Sequence, residues 1–66
     1  MFKVEFTQDN KSEILIETED RKKAADVAIS KQAEFKAEQK KGIISLYEIS
    51  TEAGKPMRKC YDFWEV

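Results

Sequence analysis

Apolar and charged residues alternate at the start of the chain. Residues 2–6 read FKVEF, the period of two expected of a strand with one buried face. Asp9-Asn10-Lys11 supplies turn chemistry, because Asp and Asn bond their own backbone and tolerate positive φ. A second strand is therefore predicted from Ser12 to Thr18, which closes a hairpin.

Two registers are possible for this hairpin. A two-residue loop would place Phe6 opposite Glu13, which pairs an apolar with a charged side chain. A three-residue loop would place Phe6 opposite Ile14 and Val4 opposite Ile16. The second register is favoured, because cross-strand apolar pairs contribute roughly 0.2–1 kcal/mol each.

The middle of the chain predicts one helix, since the segment up to about Lys41 contains no Gly or Pro. Thr18 or Asp20 suits the N-cap, and acidic residues there suit the positive end of the helix dipole. Gly42 suits the left-handed position just after the helix. On a helical projection, one stripe is formed by Ala24, Val27, Ala28 and Phe35.

A second hairpin is predicted from the extended runs at 43–50 and 57–66, with Pro56 at the start of the last strand. A four-residue loop at 52–55 would place Leu46 opposite Tyr61 and Ile44 opposite Phe63. The side of the sheet predicted to face the helix then consists of Phe2, Val4, Phe6, Ile14, Ile16, Ile44, Leu46, Tyr61 and Phe63.

The predicted order ββαββ is typical of a two-layer α+β fold, a four-stranded sheet with one helix packed on one face. This order resembles the small β-grasp of bacterial immunoglobulin-binding domains over nearly the whole chain, with no shared sequence motif. The resemblance implies that the first and last strands lie side by side at the centre of the sheet. A meander-like order, with strands two and three adjacent, is the alternative. With 66 residues, a single domain spanning 1–66 is predicted.

One helix can cover only one side of the sheet, yet strands three and four are apolar on both faces. The uncovered face would carry Ile43, Tyr47, Ile49, Cys60 and Trp64, bordered by Arg58 and Asp62. Surfaces rich in Tyr, Trp and Ile with an Arg at the rim are typical of interface hot spots. The residues predicted to bind a partner are therefore Ile43, Tyr47, Ile49, Arg58 and Trp64.

Two other arrangements would remove this surface. A register shifted by one residue would exchange the two faces of the last strand. Alternatively, Trp64 could fold over the edge of the sheet and cap its own core.

Composition excludes several classes of function. The formal net charge is −1, with 12 basic and 13 acidic residues, so no bulk field attracts nucleic acid or an anionic membrane. The N-terminal MFKVEFTQDNKSE contains no apolar run typical of a signal peptide, and no stretch approaches the roughly 20 apolar residues of a membrane span. A cytoplasmic protein without a membrane partner is expected.

Few residues typical of active sites stand out, because carboxylates are plentiful but no pair among them is marked as catalytic. The chain has no histidine and one cysteine, Cys60, which would need an unusual activator to act as a nucleophile. A buried, structural cysteine is the favoured interpretation. Gly42 and Gly54 have local roles, which leaves no glycines for a phosphate-binding loop. No enzymatic activity, cofactor or metal is expected.

Two functions remain. The first is a non-enzymatic protein-interaction module, a homodimer or a regulatory or inhibitory accessory protein of the kind that mobile genetic elements encode, binding another protein or a second copy through the uncovered face. The alternative is a single-stranded nucleic-acid-binding protein whose sheet aromatics stack on bases. Its basic cluster would be Lys55, Arg58 and Lys59 beside Tyr61 and Trp64, opposed by nearby Asp62 and Glu65.

If the uncovered face is an interface, Trp64→Ala or Tyr47→Ala should weaken association and leave the fold largely intact, because neither side chain would be in the core. Circular dichroism and sedimentation would measure the two effects. Global unfolding by either substitution would place that residue in the core instead.

Overall fold

The computed structural model describes residues 1–52 and 54–66. Its elements are β1 Phe2–Gln8, β2 Lys11–Thr18, α1 Arg21–Ala37, β3 Ile43–Glu52 and β4 Lys55–Glu65. The four strands form one antiparallel sheet, with α1 packed on one face. The predicted two-layer ββαββ fold is confirmed. Pairing extends to Glu52 and Lys55, and Ala53 of the predicted loop lies outside the described residues.

The strand order is β2-β1-β3-β4. The β-grasp-like order is therefore wrong, and so is the meander-like alternative, because β1 pairs with β3 and β4 lies at an edge. The observed order is explained by which of the two C-terminal strands, β3 or β4, is better suited to burial at the centre of the sheet. The uncharged run at 43–47 supplies buried residues at the centre of the sheet, whereas β4 carries several charged residues and Pro56, which an edge strand tolerates.

The helix connects two parallel strands. β2 and β3 are each antiparallel to β1, so they run parallel to one another on either side of it. Parallel strands in one sheet need a long crossover. α1 has 17 residues, which span about 26 Å, enough to return the chain across the sheet.

The core lies between α1 and the two central strands. Ala24 and Ala28 of the helix are fully buried against it, and the Phe6 and Phe35 rings have centroids 4.4 Å apart. The remaining buried apolar residues are Val4, Ile44 and Leu46. Val27 of the predicted helix stripe is half-buried. Of the sheet residues predicted to face the helix, Ile14, Tyr61 and Phe63 are exposed.

The helix begins as predicted at the Asp20 N-cap. The carboxylate Oδ1 of Asp20 accepts hydrogen bonds from the backbone N–H groups of Lys22 and Lys23, at 2.9 and 3.3 Å. These bonds satisfy two of the N–H groups that have no partner within the helix. Thr18, the other candidate, accepts instead from the backbone N–H of Asp20.

The helix ends earlier than predicted. Gln39, with φ of +60°, occupies the left-handed position expected for Gly42. The N–H of Gln39 donates to the Lys36 carbonyl and that of Lys40 donates to the Phe35 carbonyl, the two bonds of a Schellman motif.

Gly42 is required for a different reason. A Cβ atom at this position would collide with the Thr7 carbonyl oxygen and lie 2.8 Å from Cε1 of Phe6. The glycine therefore allows the chain entering β3 to approach the end of β1 closely.

A β-bulge divides the first hairpin. Val4 pairs with Ile16 as predicted, but nearer the turn Phe6 pairs with Glu13 rather than with Ile14. Leu15 is the extra residue, and the loop is the two-residue one, with Gln8 opposite Lys11. Because a bulge changes the register by one, Ile14 lies on the face away from α1, which corrects its predicted core position.

A second bulge divides the second hairpin. Tyr47 pairs with Cys60 as predicted, whereas Leu46 pairs with Asp62, which leaves Tyr61 as the extra residue. Beyond this point Ile44 faces Trp64 rather than Phe63. The shift by one residue, raised above as an alternative, is thus present in half of the strand. It turns Trp64 towards α1 and Phe63 away from it.

Gln39→Gly should stabilise the protein by about 1 kcal/mol, because a side chain in left-handed backbone is strained and glycine is not. The midpoint of urea unfolding measures the change. Gln39→Ala is the matched control, since it removes the same polar atoms and keeps a Cβ. An equal gain in both variants would show that backbone strain is not the cause.

Candidate functional site

The side of the sheet away from α1 carries a continuous apolar strip along β3 and β4. Since Ile44 and Leu46 face the helix, the alternate residues of β3 and their partners on β4 face outward. We call this set the outer stripe: Ile43, Tyr47, Ile49, Cys60 and Phe63. No element among the described residues packs over it.

Two members of the outer stripe are strongly exposed. Phe63 exposes 59% of its surface, more than any other large apolar side chain in residues 1–52 and 54–66, and Ile43 exposes 42%. Tyr47 and Ile49 are half-buried. The exposed Phe63 side chain adds nothing to the packing of the core, so the stability of the fold does not explain its presence on this surface.

Arg58 lies across the outer stripe. Its Cζ is 4.2 Å from the centroid of the Tyr47 ring, and its guanidinium is 3.8 Å from the carboxylate of Glu5 on β1. Lys3 approaches the same carboxylate at 3.3 Å. The Glu5 side chain is only 13% exposed, so this group of charges is partly shielded from water and holds Arg58 over the aromatic ring.

Four of the five residues predicted to bind a partner lie together on this face: Ile43, Tyr47, Ile49 and Arg58. Trp64 does not, because the bulge at Tyr61 turns it to the helix side, where it is half-buried against the core. Phe63 takes the place predicted for Trp64. The only sequence signal for this exchange is that aromatic residues occur in both alternating sets of 60–64, with Tyr61 and Phe63 in one and Trp64 in the other, which leaves either register possible.

Cys60 is exposed, so the interpretation of a buried cysteine is wrong. Its partner across the sheet is Tyr47 on the outer face, and its Sγ lies 3.6 Å from the backbone oxygen of Asp62. The thiol therefore belongs to the outer stripe rather than to the core.

Trp64 lines a cleft between α1 and β4. The cleft has a volume of about 680 Å³. Its apolar lining includes Ala25, Leu46, Tyr61 and Trp64, and its cations are Arg21 and Lys22. We call this feature the α1–β4 cleft.

The basic cluster proposed for nucleic-acid binding is divided between the two faces. Arg58 stacks on Tyr47 on the outer face. Lys59 instead lies 5.5 Å from the centroid of the Tyr61 ring, which stands beside the α1–β4 cleft. The structure therefore does not bring these residues together as one basic, aromatic surface.

Metal sites and membrane-spanning helices are both absent from the part of the chain that the structure describes. There, no three or more Asp, Glu, His or Cys side chains come close enough together to hold a metal ion. Within the same residues, no helix has the length and apolar character needed to cross a membrane.

No protein-family model, curated protein or solved structure matches this chain. The function has to be inferred from the surfaces described above.

Trp64→Ala should destabilise the fold by about 2 kcal/mol, because the ring packs against the core, whereas Phe63→Ala should change stability by less than about 0.5 kcal/mol. This replaces the expectation that Trp64 can be removed without effect on the fold. The free energies of unfolding of the two variants can be compared by urea denaturation monitored by circular dichroism. Equal losses would contradict the placement of these neighbours on opposite faces.

Proposed function

We propose that this protein is a non-enzymatic protein-interaction module that binds through the outer stripe. The observation that carries the proposal is the exposure of Phe63 beside Ile43 on a sheet face that α1 leaves uncovered. Aromatic residues and Arg are enriched in interface cores, and a large exposed apolar surface is seldom left without a partner. Arg58, held over Tyr47, is positioned to contribute to the same interface.

The occupant we favour is a second copy of the chain, bound across a two-fold axis. The outer face carries both signs of charge, with Lys3 and Arg58 among the cations and Glu5 and Glu65 among the anions. A face of mixed charge can meet an identical face without strong repulsion. Two such sheets would pack about 10 Å apart, with their helices on the outside.

The dimensions of the molecule fit this arrangement. Its principal extents are 42 × 26 × 14 Å, so its broad face is wide relative to its thickness. A stable interface needs about 800 Å² from each partner, which a face of this size can supply. A 66-residue chain also buries a small core, so association would add to its stability.

The role we propose for the module is regulatory or inhibitory, as an accessory protein acting on another protein in the cytoplasm. Support comes from the small size and from surfaces that offer apolar contact rather than an arrangement of catalytic groups. The second copy and the regulated protein need not compete, because the outer stripe and the α1–β4 cleft lie on opposite faces of the sheet.

Single-stranded nucleic acid is the second candidate ligand, favoured by one contact. The guanidinium of Arg58 stacks on the Tyr47 ring with half of its surface exposed, and bases stack on such groups. The near-balance of charge on the chain opposes it. Such binding would weaken steeply with added salt, whereas dimerisation through apolar residues would not.

Phe63→Ser should weaken self-association roughly tenfold or more, because it removes the most exposed apolar side chain of the outer stripe. Sedimentation equilibrium of the wild type and the variant measures this directly. The matched control is Met57→Ser, which removes an exposed apolar residue of β4 that lies on the other face of the sheet. Circular dichroism should be unchanged in both.

Three results would contradict the proposal in different ways. A wild-type protein that stays monomeric at millimolar concentration would remove the second copy as occupant. A dimer that is equally weakened by Met57→Ser would place the interface elsewhere. Binding of an oligothymidylate with a steep salt dependence, lost in Arg58→Gln, would favour the nucleic-acid candidate.

A further inference from the structure

The α1–β4 cleft lies on the opposite side of the sheet from the outer stripe. α1 contacts β2 most extensively and β4 least, so the helix side of β4 is left partly open. The side-chain amide of Gln32 donates to the Glu65 carbonyl at 2.9 Å, which ties α1 to the end of β4. The open part is therefore the half near the start of α1. Its volume of about 680 Å³ is within the range of small-ligand sites.

The cleft offers apolar surface to a ligand side chain. Leu46, which is buried, and Ala25 line it together with the aromatic residues Tyr61 and Trp64. The Tyr61 ring is held by its hydroxyl, which lies 3.3 Å from the Glu48 carboxylate and donates to it. Aromatic and apolar lining with a few polar groups is typical of a binding site.

Three cations lie in or beside the cleft, Arg21 and Lys22 in its lining and Lys59 next to Tyr61. Arg21 Cζ and Lys59 Nζ lie 5.9 and 5.5 Å from the centroid of the Tyr61 ring, and Lys22 lies in the wall. Within residues 1–51 and 54–66, none of these three forms an ion pair. An anionic group placed against the Tyr61 ring, away from the hydroxyl that bonds Glu48, would meet positive charge.

The acids of the cleft already have partners. Asp20 Oδ1 accepts from the N–H groups of Lys22 and Lys23. Asp62 Oδ1 accepts from the N–H of Phe63 at 2.8 Å. These carboxylates are thus directed towards the backbone, while the side chain of Arg21 remains available for a ligand.

We propose that the α1–β4 cleft binds a short acidic peptide segment of another protein, with an apolar side chain between Tyr61 and Trp64 and a carboxylate paired with Arg21. Guanidinium and carboxylate match geometrically and form paired hydrogen bonds. The apolar side chain supplies the burial that an exposed ion pair alone lacks.

A peptide carboxylate fits the cleft better than a phosphate. Two of the N–H groups at the start of α1 that could bind a phosphate, those of Lys22 and Lys23, already donate to the Asp20 carboxylate. Asp20 and Asp62 also repel a doubly charged phosphate more strongly than a singly charged carboxylate. A nucleotide, which carries a phosphate, is therefore the alternative ligand to compare with the peptide.

The site is independent of the outer stripe, since the two lie on opposite faces of the sheet. A monomeric protein would remove the dimer proposed above and leave this cleft intact. Both sites together would make the module a bridge between its own copy and an acidic segment of a target.

Trp64 is the only tryptophan of the chain, so its fluorescence and indole N–H resonance report on the cleft directly. The probe is a blocked glutamate-leucine-glutamate tripeptide, and its uncharged match is glutamine-leucine-glutamine. The acidic peptide should shift both signals saturably at millimolar concentration and bind about fivefold more tightly than its match. Arg21→Gln should remove that difference, and Lys36→Gln, a loss of charge in the last turn of α1, should preserve it.

Equal affinity for the two tripeptides, or no change in either Trp64 signal, would overturn the proposal. Tighter binding of adenosine monophosphate, with shifts at the same residues, would assign the cleft to nucleotides instead. Should Arg21→Gln fail to fold, Arg21→Lys provides the same comparison with the charge kept and the paired geometry lost. It should retain only part of the preference for the acidic peptide.

Discussion

Contact between two alanines of α1 and the central strands determines where the helix can lie. Ala24 and Ala28 are fully buried, and beneath them the side chains of Val4 and Ile44 are also completely covered. Small residues on a helix allow a short distance to the sheet, so larger side chains cannot replace them without moving the whole element. With the helix fixed over β1 and β3 in this way, β4 is the strand that it covers least. Both candidate surfaces follow from that placement.

Each edge strand adapts to the fixed centre with one extra residue. Leu15 in β2 and Tyr61 in β4 interrupt the alternation, so that the two ends of each hairpin keep different registers. In β4, two residues adjacent in sequence therefore lie on opposite faces of the sheet and have different roles. Trp64 contributes to the core and to the cleft, and Phe63 becomes the most exposed large apolar member of the outer stripe.

Local sequence patterns predict the strands, the helix and its N-cap, but they do not predict the order of the strands or the positions of the bulges. Alternation in residues 2–6 and the Asp20 cap depend on neighbours in sequence, and both were predictable. The pairing of β1 with β3 depends on which strands lose the least buried apolar surface by lying at an edge of the sheet. That comparison involves all four strands and cannot be made from neighbouring residues alone. Four candidate surface residues were found because they precede the bulge or lie on the unbulged strand, whereas Phe63 lies beyond it. A period of two carries no information about where it will be interrupted.

The bulge at Tyr61 also affects the tendency of the protein to aggregate at high concentration. β4 is a long edge strand, and an unbroken edge of this kind exposes a ladder of N–H and C=O groups onto which further chains can add without limit. Pro56 removes one donor from that ladder, and the extra residue displaces its spacing near the middle. β2, at the opposite edge, is interrupted in the same manner. Growth into fibrils through the edges is thereby discouraged.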